Sequence, residues 1–184
     1  KFGCLDGGEV ADISEISDVP SSMLEMLRAG DDGRAAVVGA LSAAPRLLLG
    51  DIDFLPVIPR PGKIVCLGLN YAEHAAEGGC EKPDYPNFFM RSATSLIGHR
   101  ADMIRPRISE QLDFEAELAA IIGRRVPRHT SKADALSFVA GYSCFNDGSV
   151  RDYQRRTPQW TIGKNFDATG PFGPFFVSAD ELPA

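Results

Sequence analysis

The 184-residue chain has no apolar run near the ~18 positions that a membrane span requires. Its opening, KFGCLDGGEVADIS, has no basic segment followed by an apolar one, so no secretory leader is read there. The first residue is Lys1 and not Met, so residues upstream are expected. Positive charge is in deficit: 19 Lys and Arg face 25 Asp and Glu, a net charge of −6. That balance argues against a surface built to neutralise nucleic-acid phosphates. The four cysteines (Cys4, Cys66, Cys80, Cys144) contain no C-x-x-C pair, which argues against a zinc knuckle or a redox dithiol. They read as reduced thiols of a cytoplasmic protein. No internal repeat, heptad run or low-complexity tract is present. The G-x-S-x-G elbow of serine hydrolases and the H-E-x-x-H of zinc proteases are also missing.

Hydrophobic residues make up 44% of the chain, enough to supply a core. The 18 glycines and 13 prolines exceed the average share of roughly 12% and point to a loop-rich fold of short elements. Ser22 and Glu25 form an S-x-x-E capping box that opens a short helix through Leu27, stopped near Gly30. A second helix is expected over Arg34–Ala44, ending at Pro45, and a domain boundary near Arg60–Gly62. Beyond it, Lys63–Leu69 and Asn87–Arg91 read as strands, Tyr71–Glu77 as one or two helical turns, and Ser131–Phe138 as a capped helix. Val139–Phe145 and Pro174–Val177 read as strands, and Gly148–Arg156 as a polar helix or turn. Mixed short strands and helices indicate an α+β domain with non-sequential strand pairing.

Asp113–Ile122 is ambiguous between helix and strand. On a helix, Glu115 and Glu117 diverge; on a strand they share one face, opposite Phe114, Ala116, Leu118 and Ala120. Two adjacent carboxylates raise each other's pKa unless a cation lies between them. The competing reading is a solvated helix face with ordinary glutamates. Asp147 ends an apolar strand, where it can reach into a cleft or merely cap the following helix. Three carboxylates with no neighbouring Cys or His suit a hard divalent ion over zinc. His74 and Glu77, at i and i+3, share a helix face and can act as an oriented base on water, or pair by chance on an exposed helix. His99 and His129, beside arginines, read as surface residues. Gly163-Lys164 matches only the end of a phosphate loop, because Asn165 follows and the upstream glycine is missing. Flanked by Ile162 and Phe166, Lys164 is expected to be partly buried and to want an anionic partner.

Four segments then stand in one order: KIVCLGLNYAEHAAE, QLDFEAELAAIIG, AGYSCFNDGSVRDYQ and QWTIGKNFDATGPFGP. In this order they resemble the fumarylacetoacetate hydrolase family over about residues 61–184. The first sixty residues are similar to that family's small, variable N-terminal domain. The resemblance implies an α+β fold: a small N-terminal α/β domain over 1–60 and a mixed β-roll catalytic domain over 61–184, incomplete in this chain, usually in a homodimer. It implies that Glu115, Glu117 and Asp147 bind Mg²⁺ or Mn²⁺, with Ca²⁺ as an alternative. His74 and Glu77 would act on water or a substrate proton. Lys164 would stabilise negative charge, and Arg151 and Gln154 would contact the substrate's carboxylate end or oxo group.

The implied partner is a small 2-oxo or diketo acid, with no nucleic acid or membrane. Such an acid can chelate a divalent ion through its carboxylate and keto oxygens. The implied activity is metal-dependent C–C hydrolysis of acylpyruvate-type 2,4-diketo acids. One alternative is an isomerase or decarboxylase on a 2-oxo or 2-hydroxymuconate-type dicarboxylate from aromatic catabolism. The other is an inactive fragment or binding module. Gly148 and Val150 depart from the small apolar residue and the alanine common in the family. The loop Gly78–Tyr85 reads as a lid, and the chain stops at Ala184, before the family's further strands and threonine-bearing turn.

Overall fold

The computed structural model describes residues 1–71 and 83–182. His74, Glu77, Cys80 and most of the loop 78–85 lie outside the described residues. The strands are β1 (Gly3–Asp6), β2 (Glu9–Asp12), β3 (Arg46–Leu48), β4 (Ile64–Gly68), β5 (Asn87–Arg91) and β6 (Leu96–Ile97). They continue with β7 (Leu112–Asp113), β8 (Ala116–Ile122), β9 (Val139–Asn146), β10 (Ser149–Val150), β11 (Gly170–Pro171) and β12 (Val177–Ser178). Two α-helices are described, α1 (Met23–Ala40) and the single turn α2 (Arg151–Gln154). This is a mixed α+β fold dominated by short strands, and the described strands do not close into a barrel. Contacts group it into two units, one of Lys1–Ile58, Leu118–Cys144 and Gly173–Ala184, the other of Pro59–Glu117 and Phe145–Phe172.

In the first unit, β1, β2 and β3 form an antiparallel sheet in that order. The two-residue turn between β1 and β2 places Gly7 at φ 66°, a conformation that glycine adopts without a Cβ clash. The Ser22 side chain caps α1, accepting from the Glu25 N–H at 3.3 Å. Glu25 bonds back to the N–H and hydroxyl of Ser21, one residue earlier than a capping box places it. Gly30 interrupts α1 at φ 63°, ψ −136°, so the expected two helices are present on either side of a kink. The second half ends at Ala40 and not at Ala44, because the chain turns there before entering β3. Met26, Val37 and Ala40 pack with Ala11 and Ile13 into the unit's core.

In the same unit β9 lies between β12 and β8. The helix expected at Ser131–Phe138 is only a 3₁₀ turn over Ala135–Phe138. The Ser131 hydroxyl accepts from the Asp134 N–H at 3.2 Å, the bond of a helix cap, but only this one short turn follows it. The strand expected at Pro174–Val177 pairs only at Val177–Ser178; Pro174 has no N–H to offer a ladder.

In the second unit β4 and β5 form a hairpin-like antiparallel pair, Ile64↔Arg91 through Gly68↔Asn87. Side chains alternate across it. Val65, Leu67, Phe88 and Met90 share the exposed face, and Cys66, Phe89 and Arg91 the other. β6 pairs with β11 in parallel, and β7 with β10 antiparallel. A Cβ at Gly148 would lie 2.0 Å from the Thr169 carbonyl oxygen and 2.4 Å from Met103 Cε. The departure from a larger residue at this position therefore belongs to the packing of this chain. Gly148→Ala should destabilise the protein by ~1–3 kcal/mol through overpacking. An unchanged denaturant midpoint would contradict that.

Candidate active site: carboxylates clamped by buried cations

The segment left open between helix and strand is extended, and the two-residue period holds. Its polarity is the reverse of a simple amphipathic strand. Phe114 and Leu118 are 70% and 62% exposed, whereas Glu115 and Glu117 face inward. Glu115 sits between β7 and β8, and its carbonyl accepts the Asp147 N–H at 2.9 Å. Its own N–H donates to Asn146 Oδ1 at 3.1 Å. These bonds hold the Glu115 backbone against the end of β9. The β7–β10 pair then sets Arg151 beside it, with the Arg151 N–H on the Gln111 carbonyl.

Three cations neutralise this cluster. Lys164, 1% exposed, donates from Nζ to Glu115 Oε2 at 2.8 Å and to Asp147 Oδ2 at 2.7 Å. The same ammonium lies 5.0 Å from the centroid of the Phe89 ring. Lys164 can approach because Gly163 lacks a Cβ, which would otherwise fall 2.4 Å from the Gln154 nitrogen. Arg151 bonds Glu115 Oε1, Gln154 Oε1 and Asp113 Oδ2. Arg91 bonds Asp147 Oδ1 at 2.5 Å. Burial acts to raise the Glu115 carboxyl, but Lys164 and Arg151 outweigh it and hold the group below its ordinary value.

Glu117 behaves in the opposite way. Burial, then the charges of Glu115 and Asp147, push its carboxyl above the ordinary value, against weaker opposing contributions from Lys164 and a hydrogen bond with Tyr71. Cys66, which feels the charges of both Asp147 and Glu117, is pushed up to about 12, chiefly by burial and next by Asp147, which makes it an inert thiol. A carboxyl raised above its unfolded value favours the protonated native state. Stability is therefore lost as pH rises from about 4.5 through the raised value. Without divalent ions, Glu117→Gln should flatten this loss and melt higher than the wild type at neutral pH. A variant that melts lower at neutral pH would contradict the assignment.

The structure thus brings together five residues named from the sequence, Glu115, Asp147, Lys164, Arg151 and Gln154, with Glu117 close enough to feel the charges of Glu115, Asp147 and Lys164. His129 is exposed, as expected of a surface residue. Arg91 was missed by the sequence reading; the signal was a lone cation ending the apolar strand NFFMR. The all-oxygen donor set fits a hard divalent ion, and Glu117 is short of positive charge. As they stand, no three His, Cys, Asp or Glu side chains among the described residues converge to hold an ion. Lys164 fills the space between Glu115 and Asp147.

Comparison with known proteins shows the family. The family model described as fumarylacetoacetate (FAA) hydrolase C-terminal matches residues 63–184. A mitochondrial oxaloacetate tautomerase of Rattus norvegicus is 34% identical over 179 residues, covering 96% of this chain and 57% of that protein. The maleylpyruvate hydrolase of Sphingobium sp. SYK-6, solved with manganese (II) and pyruvate, matches with TM-score 0.80 at 26% identity, over 99% of this chain and 65% of that one. A 5-carboxymethyl-2-hydroxymuconate delta-isomerase of Mycobacterium smegmatis matches with TM-score 0.63 at 34% identity, over 74% of this chain and 53% of that one. The chain belongs to the fumarylacetoacetate hydrolase family, whose members named here are hydrolase, isomerase and tautomerase enzymes. It spans a little over half the length of the tautomerase. Among the described residues no helix is long and apolar enough to cross a membrane.

Proposed function

We propose that this chain carries the ion-holding part of a divalent-metal-dependent enzyme that cleaves a C–C bond in acylpyruvate-type 2,4-diketo acids. The carrying observation is the sharing of one buried cation by Glu115 and Asp147, with an under-neutralised Glu117 beside them. In this reading Glu115, Glu117 and Asp147 hold Mg²⁺ or Mn²⁺; the manganese and pyruvate of the maleylpyruvate hydrolase support that choice. Bound there, the ion supplies Lewis acidity to a 2-oxo acid. Lys164, which spends two of its N–H groups on Glu115 and Asp147, donates a third to the oxygen on which negative charge develops, at a site where burial strengthens the interaction. Arg151, held by Glu115, Asp113 and Gln154, presents its remaining donor capacity to the substrate carboxylate. His74, oriented by Glu77, takes a proton from the attacking water. A homodimer belongs to the same reading, supported by the exposed apolar face of Val65, Leu67, Phe88 and Met90. So does a reducing, cytoplasmic setting, supported by free Cys4, Cys66 and Cys144.

A second reading follows from the tautomerase, 34% identical across nearly the whole chain. Keto–enol exchange of a 2-oxo dicarboxylate uses the same ion and Lys164 and moves a proton at carbon without attacking water. Assay on acetylpyruvate and oxaloacetate with Mn²⁺, for wild type and His74→Ala, separates the two. Hydrolysis should fall by about 10²–10⁴ in the variant if His74 is the base. Hydrolysis that persists in His74→Ala would refute water activation. Enolisation of oxaloacetate with no cleavage of acetylpyruvate would favour the second reading.

A further inference from the structure

Arg91 is a buried cation that the reading of the site has so far left without a task. It is 3% exposed, sits on the inward face of β5, and bonds through all three nitrogens. Nη1 donates to Asp147 Oδ1 at 2.5 Å and to the Gly148 carbonyl at 3.0 Å, gripping a side chain and the backbone just after it. Nη2 donates to Thr169 Oγ1 at 3.0 Å and Nε to Ser95 Oγ at 3.3 Å. Both hydroxyls spend their own protons elsewhere: Thr169 donates to the Phe166 carbonyl at 2.7 Å and Ser95 to the Ser92 carbonyl at 2.9 Å. Each therefore turns a lone pair toward the guanidinium. Ser95 and Thr169 flank the β6–β11 pair and are joined by the Thr169 N–H on the Ser95 carbonyl at 3.1 Å. Gly170 leaves the room required, since a Cβ there would lie 2.8 Å from Arg91 Nη2. The Phe145 ring centroid lies 5.4 Å from Arg91 Cζ.

We propose that Arg91 is the positioning residue of the site: it occupies Asp147 Oδ1 and fixes the carboxylate so that only Oδ2 is turned toward Lys164 and Glu115. The inference rests on reading Asp147 as a ligand of the divalent ion. It assigns to the planar fork of arginine a task that a lysine charge alone cannot perform. Asp147 would then have Oδ2, and not Oδ1, left to offer an ion.

The test is Mn²⁺ binding to the whole chain, followed by electron paramagnetic resonance, for wild type, Arg91→Lys, Arg91→Gln, Thr169→Val and Val37→Ala. Arg91→Lys should fold and bind Mn²⁺ about 10–100-fold more weakly, the loss typical of a removed outer hydrogen-bond partner. Thr169→Val, which keeps the volume but takes one acceptor from the fork, should weaken binding by a smaller factor. Val37→Ala, a truncation in the core of the first unit, should lower stability and leave affinity unchanged. An Arg91→Lys protein that folds and binds Mn²⁺ as tightly as wild type overturns the proposal. If neither Arg91 variant folds, unchanged affinity in Thr169→Val overturns it. A wild-type chain that binds no Mn²⁺ instead overturns the ligand reading of Asp147, and the proposal with it.

Discussion

Asp147→Ala should lower the melting temperature by roughly 10 °C, the shift expected for ~3–5 kcal/mol in a domain of this size. The cause is what the substitution leaves behind. Arg91 and Lys164 have side chains 0% and 2% exposed, and both use Asp147 as a counter-ion. Removing the carboxylate strands one guanidinium and halves the compensation of one ammonium, both almost fully buried. The size of the loss therefore comes from unpaired charge, and pairing Asp147→Leu with Arg91→Met should restore part of it. A double variant no more stable than Asp147→Ala would show that the charges are not the source.

Lys164→Met should have the second-largest effect, and on rate more than on stability. Glu115 keeps Arg151 and Asp147 keeps Arg91, so neither carboxylate is stranded. Melting should fall less than in Asp147→Ala. Turnover of a 2-oxo acid should fall by about 10²–10³, the loss typical of one donor to developing negative charge. Retained turnover in Lys164→Met would remove the lysine from the chemistry and leave it a structural counter-ion.

The sequence reading reached the cluster because its residues stand in four ordered segments with a specific spacing. The strand at Lys63–Leu69 and the helix pair around Gly30 were also legible, since apolar runs and a glycine stop act locally. What it missed is non-local. Nothing near Arg91 announces that its donors reach Asp147, 56 positions away, or Thr169, 78 away. The inward carboxylate face and outward Phe114 were hidden for a related reason. Residues around Glu115 follow the strand period, but which face turns inward is decided by cations from Lys164 and Arg151, far along the chain. At Ser131–Phe138 the cap was legible, since Ser131 accepts from the Asp134 N–H, but its length was not: a segment this short does not hold a helix without tertiary packing, and only a 3₁₀ turn over Ala135–Phe138 forms.

In the proposed function Glu115, Glu117 and Asp147 together hold a divalent ion. Calorimetric titration of Mn²⁺ into the wild-type chain and into Asp147→Ala tests it most directly. One site per chain in the wild type, lost in the variant, is the predicted result; equal binding by both proteins would contradict it.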